Sequence, residues 1–317
     1  MSKKVLVTGA SGFVGANLAR RLLREGHQVH LLLRENHAGW RIRSIRQDVQ
    51  VHVIDMADGE ALKGLARSVK PDWIFHLAAE GAYPWQNDLN RIIATNIQAT
   101  MNLASACVDA GFEAFIHTGS SSEYGAKDHA PREDELADPN SFYAAAKASA
   151  TMFLRCLAIR HGLHITTLRL YSVYGPYEDP RRLVPALITN GRAGRYPPLV
   201  NPDVARDFVY SEDVCGACLL AAQNPAGGPG RVFNVGSGVQ TRLRDIVEVA
   251  RGYFQIALPP AWGSMENRNW DTHTWVADIG RIQAGLGWQP QVSLADGFAQ
   301  TARWFEENQA ILPDQPG

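Results

Sequence analysis

The sequence is short of cysteine, of net charge and of long apolar runs, and each shortage excludes something. Four cysteines in 317 residues are too few for a disulfide scaffold and suit a reducing compartment, so a cytoplasmic location is expected. A formal net charge of −1 gives no electrostatic reason to expect nucleic acid or a charged membrane surface as partner. No apolar run approaches the roughly 20 residues that span a bilayer. "MSKKVLVTGA" runs directly into an apolar strand pattern, so no signal peptide is expected. The ten histidines show no HExxH or comparable spacing, and no metal is expected. Cys215 and Cys218 form a CxxC, but inside a helical pattern rather than at the helix N-terminus where a reactive thiolate is stabilised. They read as two small packed residues.

What is present is a rhythm. "KKVLVTG", "HQVHLLLR", "VQVHVID", "DWIFHLA", "EAFIHTG" and "HITTLRLY" are short apolar runs, as for buried parallel strands. Helical stretches lie between most of them, among them "GANLARRLLREG", "LNRIIATNIQATMNLASACVDAG" and "SFYAAAKASATMFLRCLAIRHG". This alternation predicts an α/β fold, a doubly wound parallel sheet with helices on both faces. From about residue 175 the rhythm breaks into Pro- and Gly-rich loops. Residues 1–175 plus 206–236 are therefore assigned to the sheet domain. Residues 176–205 plus 237–317 form a smaller α/β lobe.

"VTGASGFVG" puts Gly9, Gly12 and Gly15 directly after the first strand and at the start of the first helix. Glycine allows a tight turn and a close backbone approach to a pyrophosphate, whose charge suits a helix N-terminus. A dinucleotide is expected there. The second strand ends in "LLLREN", with Arg34 where an NAD site usually carries a carboxylate. A guanidinium pairs with a 2′-phosphate, so NADP is favoured over NAD.

"YAAAK" puts Tyr143 and Lys147 four residues apart, on one face of a predicted helix. A phenol with an ordinary pKa of about 10 is a poor base. A neighbouring ammonium is expected to lower it and make the pair a proton relay. "HTGSSSEYG", residues 117–125, adds three hydroxyls and a carboxylate at a strand end.

With "TGASGFVG", "HLAA", "TN" at 95–96, "GSSSEYG", "YAAAK", "RLYSVYGP", "RDFVYSEDV" and "FNVGSG" in hand, the chain resembles the extended short-chain dehydrogenases/reductases over almost its whole length. Within that family it resembles in particular the nucleotide-sugar epimerases, dehydratases and 4-ketoreductases. The resemblance implies a Rossmann domain with a nucleotide-sugar lobe, and a homodimer. It implies that Gly9, Gly12 and Gly15, with Phe13 and Val14, hold the pyrophosphate. Asp55 and Met56 would lie at the adenine, Ala78 and Ala79 on the path to the nicotinamide, and Tyr171 beside it. Lys147 would hold the nicotinamide ribose, Tyr143 would be the acid/base, and Ser120 would bond the reacting sugar oxygen. Ser121, Ser122, Arg206 and Arg268 fall at substrate positions, the two arginines suiting a diphosphate. In the loop "HLAAEGAYPWQND", Glu80, Tyr83 and Trp85 either contact the sugar or pack the loop.

The 4,6-dehydratases of this group carry an acid one or two positions after the catalytic Ser/Thr, where this chain has Ser121 and Ser122. Glu123 comes one residue later. The stretch is expected to be extended, so Glu123 aims away from the face shared by Ser120 and Ser122. The expectation is a 4-ketoreductase of a nucleotide-linked 4-keto-6-deoxyhexose, with a 4-epimerase retaining NAD as the alternative. A dehydratase, or a dinucleotide-sensing regulator without catalysis, ranks below both.

Overall fold

The apolar runs do become strands. The computed structural model describes residues 1–83, 85–225, 227–266 and 271–312. It contains β1 (Lys4–Thr8), β2 (Gln28–Leu33), β3 (Gln50–Val53), β4 (Trp73–His76), β5 (Ala114–Ser120) and β6 (Ile165–Leu170). Five more follow: β7 (Ser172–Tyr174), β8 (Ala205–Arg206), β9 (Phe208–Tyr210), β10 (Arg231–Val235) and β11 (Thr241–Arg242). Seven of them form one sheet in the order β10-β6-β5-β4-β1-β2-β3, every pairing parallel. Consecutive strands stop being neighbours at β1, which lies between β2 and β4. The crevice beyond the strand ends at such a switch point is where an open α/β sheet binds ligands.

The helices are α1 (Phe13–Arg24), α2 (Gly59–Val69), α3 (Leu89–Ile93), α4 (Ala99–Ala110), α5 (Phe142–His161), α6 (Leu183–Gly191), α7 (Ser211–Gln223), α8 (Leu243–Phe254), α9 (Gly280–Leu286) and α10 (Leu294–Glu307). Alternation along β1 sends Val5 and Val7 into a core with Leu18 of α1 and Val214 of α7. Leu6 faces the opposite core, with Leu65 of α2, Leu103 of α4 and Leu154 of α5. Each such buried side chain contributes about 1.5–3 kcal/mol, so both faces are covered and the sheet is fixed between them.

The second lobe has its own core of Tyr174, Val184, Phe208, Ile246, Phe298 and Phe305, drawn from β7, β9, α6, α8 and α10. Two parts of the expected boundary do not hold: Tyr174 and Phe208, expected in the sheet domain, lie in this lobe's core, and α9, expected in the lobe, packs on the sheet domain. In α9, Ile282 and Leu286, followed by Trp288, pack in the core of the sheet domain. The Trp288 indole donates to the carbonyl of Asp213 at 3.0 Å. Sequence spacing alone carried no sign of that return.

Two further expectations meet the structure here. Cys215 and Cys218 are fully buried in α7. Burial pushes the Cys215 thiol well above its ordinary value and that of Cys218 up to about 12, so both are inert packing groups. The expectation of no long apolar segment needs correcting. A stretch of 18 residues within the 20-residue α5 has a mean hydropathy of 1.2, long and apolar enough to cross a membrane by composition. Part of that composition serves the fold, since Ala144, Ala148, Ala150, Leu154 and Ala158 are buried.

Candidate active site at the ends of β1, β4 and β5

At the end of β1 the backbone turns with almost no side chains. Gly9 sits at φ +69°, and a Cβ there would lie 2.5 Å from the Leu77 carbonyl carbon beyond β4. A Cβ on Gly15 would collide with the Gly9 carbonyl. Gly12 is the N-cap of α1, and no acid occupies the first turn of that helix. Unshielded N–H groups at a helix start suit a pyrophosphate, so the turn fits the dinucleotide the sequence implies. Phe13 and Val14 open the helix, half-buried. Ala78 donates its N–H to Thr8 Oγ1 at 3.2 Å, and Ala79 beside it is exposed. Tyr171 fits as well, because its hydroxyl is buried with no hydrogen-bond partner among the described residues. Past β2 and β3, Arg34 and Asp55 are exposed and Met56 is half-buried. The Asp55 carboxylate caps the N–H of Ala57 at 2.9 Å.

The end of β5 is built the opposite way. Residues Ser121–Tyr124 form a single 3₁₀ turn capped by Ser120. The Ser120 hydroxyl lies 2.7 Å from that of Ser122 and accepts the Ser122 N–H at 3.2 Å. Glu123 reaches back and accepts the Ser120 N–H at 2.8 Å. Its other oxygen takes the Arg169 Nε–H at 2.9 Å, with the Glu123 side chain fully buried. The extended stretch expected after Ser120 is therefore a turn. Glu123 is nonetheless committed to Arg169 of β6, and Ser121 is buried beside it.

Tyr143 and Lys147 face this turn from α5. A hydrogen bond from Ser120 draws the Tyr143 phenol toward ionisation, but burial outweighs it and pushes the pKa up to about 12. The expected lowering of Tyr143 by Lys147 is not what the site shows; desolvation is the larger effect. Burial also pulls the Lys147 ammonium down to about 8, with Glu123 opposing the fall. Behind Lys147, His76 is locked between Thr8 Oγ1 at 2.7 Å and Thr100 Oγ1 at 2.8 Å. Its pKa is driven down to about 3, burial acting first and Lys147 second. His117 stacks on it at 5.4 Å and is held down by the same burial, so neither ring adds charge.

Sequence reasoning left Asn96 without a role. A π-helical turn, Ala94–Gln98, joins α3 to α4 and buries Asn96. Its amide accepts the Glu80 N–H at 3.1 Å and donates to the Glu80 carbonyl at 2.7 Å. The loop after β4 is thereby clamped, with Gly81 against Tyr143. The Glu80 carboxylate points to Arg91 of α3 at 3.5 Å. Arg206 pairs with Asp271 at 2.5 Å, and Arg268 lies outside the described residues. Asp207, next to Arg206, is buried and binds the N–H groups of Ser237, Gly238 and Ala277. That bonding ties the end of β10 to the second lobe.

A glycine turn at the first helix, a Ser–Tyr–Lys set at β5 and α5, and a second lobe over both define a site that can be compared with known proteins. The model of the NAD dependent epimerase/dehydratase family matches residues 5–236. The chain belongs to that family. It is 34% identical to the UDP-glucose 4-epimerase of Mycolicibacterium smegmatis, over 95% of this chain and 98% of that one. To the dTDP-glucose 4,6-dehydratase of Streptomyces griseus it is 29% identical, over 98% and 96%. Among solved structures, the UDP-glucuronic acid 4-epimerase of Bacillus cereus, in complex with UDP-glucuronic acid and NAD, superposes with a TM-score of 0.85 at 26% identity, covering 96% of this chain and 99% of that one. The dTDP-glucose 4,6-dehydratase of Streptomyces venezuelae, with NAD bound, gives 0.87 at 28%, covering 97% and 98%. The epimerase/dehydratase fold thus extends through both lobes, and the protein is an enzyme of this family.

Proposed function

We propose that this epimerase/dehydratase-family enzyme reduces the C4 ketone of a nucleotide-diphosphate 4-keto-6-deoxyhexose with NADPH. The observation that carries the reading is the committed turn at β5. Ser120 keeps a hydroxyl near Tyr143, the two following positions are serines, and Glu123 is bound to Arg169. No carboxyl group at that turn is left free to remove a proton at C5 or to expel water from C6, as a 4,6-dehydratase must.

When bound, the dinucleotide supplies a hydride to C4. Ser120 holds the C4 oxygen and Tyr143 donates the proton that turns it into a hydroxyl. A phenol held above its ordinary pKa rests protonated and is poised to give that proton. Lys147 stays mostly an ammonium near neutrality and offsets the negative charge that Tyr143 takes on as it gives up its proton. Arg34, exposed just past the end of β2 at the position where an NAD site usually carries a carboxylate, supports the phosphorylated dinucleotide.

The similarity to UDP-glucose 4-epimerase favours a second reading, C4 epimerisation with retained NAD. One experiment separates them. Purified enzyme is given NADPH or NADH with 4-keto-6-deoxyhexoses linked to dTDP, UDP, GDP or CDP, beside UDP-glucose alone. Consumption of NADPH with a keto sugar supports the reductase. Conversion of UDP-glucose to its C4 epimer, without added or consumed dinucleotide, would overturn it.

The enzyme is also proposed to act as a homodimer. Ile93 of α3 and Phe142, Met152, Phe153 and Ile159 of α5 are all exposed. An apolar stripe of that size marks an interaction surface, and a second copy supplies the same stripe. Light scattering should give twice the chain mass, and Phe153→Glu should halve it; a monomeric parent would refute the pairing.

A further inference from the structure

Glu123 and Arg169 form a buried ion pair that no step above uses. An ion pair taken out of water is weak support for stability, because desolvation offsets most of the attraction. Its position is therefore the informative property. Glu123 touches the backbone of Ser120 with one oxygen and Arg169 with the other. Gly119 has no room for a side chain, since a Cβ there would meet Glu123 Oε1 at 2.5 Å. Arg169 is held in turn, its guanidinium 4.4 Å from the centre of the Tyr124 ring. The Tyr124 hydroxyl donates to Asn234 Oδ1 at 2.7 Å. The pair is thus fixed on both sides and bonded to the backbone of Ser120, whose hydroxyl is one of the reacting groups.

We propose that the Glu123–Arg169 pair is a positioning element of the catalytic set: Glu123 fixes the Ser120 backbone and supplies a negative charge that Tyr143 and Lys147 feel, while Arg169 holds that charge in place and tempers it. The proposal rests on the acid/base reading of Ser120, Tyr143 and Lys147 given above. The groups facing Tyr143 are Glu123, Arg182 and Tyr83. Those facing Lys147 are Glu123 and the two neutral imidazoles of His76 and His117. Glu123 is the anion common to both sets. Removing it makes Lys147 easier to deprotonate, by loss of attraction, and Tyr143 easier to ionise, by loss of repulsion. Removing Arg169 does the reverse to both, because the anion is then bare. Opposite signs from the two ends of one pair are what a merely structural role does not produce.

The chain has six lysines, so labelling with an NMR-active carbon at Cε gives few resonances. The one lost in Lys147→Met identifies Lys147. Its midpoint should lie near 8 in the parent, fall in Glu123→Gln and rise in Arg169→Met, each by about half a pH unit or more. The Glu123→Gln/Arg169→Met double variant should return close to the parent. Midpoints that move together, or not at all, overturn the electrostatic part.

Positioning is tested by a second double variant, Glu123→Leu/Arg169→Met. It has no unpaired buried charge but also no acceptor for the Ser120 N–H. Its kcat on the keto sugar consumed in the panel above should fall about tenfold below that of the Gln/Met double, with KM within about twofold. Equal kcat values overturn the positioning role. Should a lone buried charge keep a single variant from folding, the two doubles decide. The lysine titration needs no substrate, so a panel in which no sugar reacts defeats the proposed function and leaves this inference separately measurable.

Discussion

Two turns at the same edge of the sheet solve the same problem by opposite means. The turn after β1 is shaped by omission, with bare backbone at Gly9, Gly12 and Gly15 so that a large anion can come close. The turn after β5 is shaped by occupation, each polar group of Ser120 and Glu123 meeting a named partner. The first should be intolerant of any added atom. The second should tolerate changes of size better than changes of charge. The contrast teaches that steric room governs the first turn, while the second depends on the balance of a few buried ionisable groups.

The largest effect tests the charged turn. Tyr143→Phe removes the proposed proton donor and leaves the ring. Turnover should fall about 10³-fold, while dinucleotide binding, followed by fluorescence quenching, stays within a few-fold. Unchanged turnover would end the proton-donor role.

The next tests the bare turn. Gly9→Ala combines a positive φ with a 2.5 Å clash against Leu77, so the neighbouring strand end must move. A loss of about 1–3 kcal/mol in denaturant unfolding is expected, together with weaker dinucleotide binding. A stable variant with parental binding would show that omission is not what shapes this turn.

How much of this contrast could be read from the sequence differs between the turns. The glycine turn was legible because its constraint is local: three glycines after a strand state their own requirement. Ser120, Tyr143 and Lys147 were legible through motif spacing. The job of Glu123 was not, because its partner Arg169 lies 46 residues away on a neighbouring strand. The 3₁₀ turn that brings Glu123 back onto Ser120 also has no signature distinct from an extended strand end. The direction of the Tyr143 shift was missed for a related reason. Burial is a property of the whole fold, and the i, i+4 spacing to Lys147 reports only proximity. The parallel sheet was legible in its alternation, whereas the return of α9 to the first core depends on a tertiary contact of Trp288.

Lys147 sharpens the comparison by joining function to instability. Its folded pKa of about 8 lies below its ordinary 10.5. Above 10.5 the side chain is neutral in both states and no penalty arises. As pH falls toward 8 the unfolded chain takes up a proton that the native site resists, so native stability declines; below 8 the penalty is constant. Lys147→Met should therefore unfold at higher denaturant than the parent at pH 7, by about 3 kcal/mol, with activity lost. The gap should close as pH rises toward 10.5. A gap that widened with pH would contradict a buried ammonium.

The smallest effect returns to the bare end, where charge enters only at its margin. Arg34 is exposed, so any pairing with a 2′-phosphate is screened by solvent and salt. An exposed ion pair is worth at most about 1 kcal/mol, or about fivefold in affinity. Arg34→Ala should raise the KM for NADPH by about that factor and leave the KM for NADH unchanged, with kcat unaffected for either. Added salt should erase part of the difference in the parent and none in the variant, because screening acts only where a charge remains. If NADPH and NADH respond alike to the substitution, Arg34 does not select the dinucleotide. Omission alone would then describe the end of the sheet at β1 and β2.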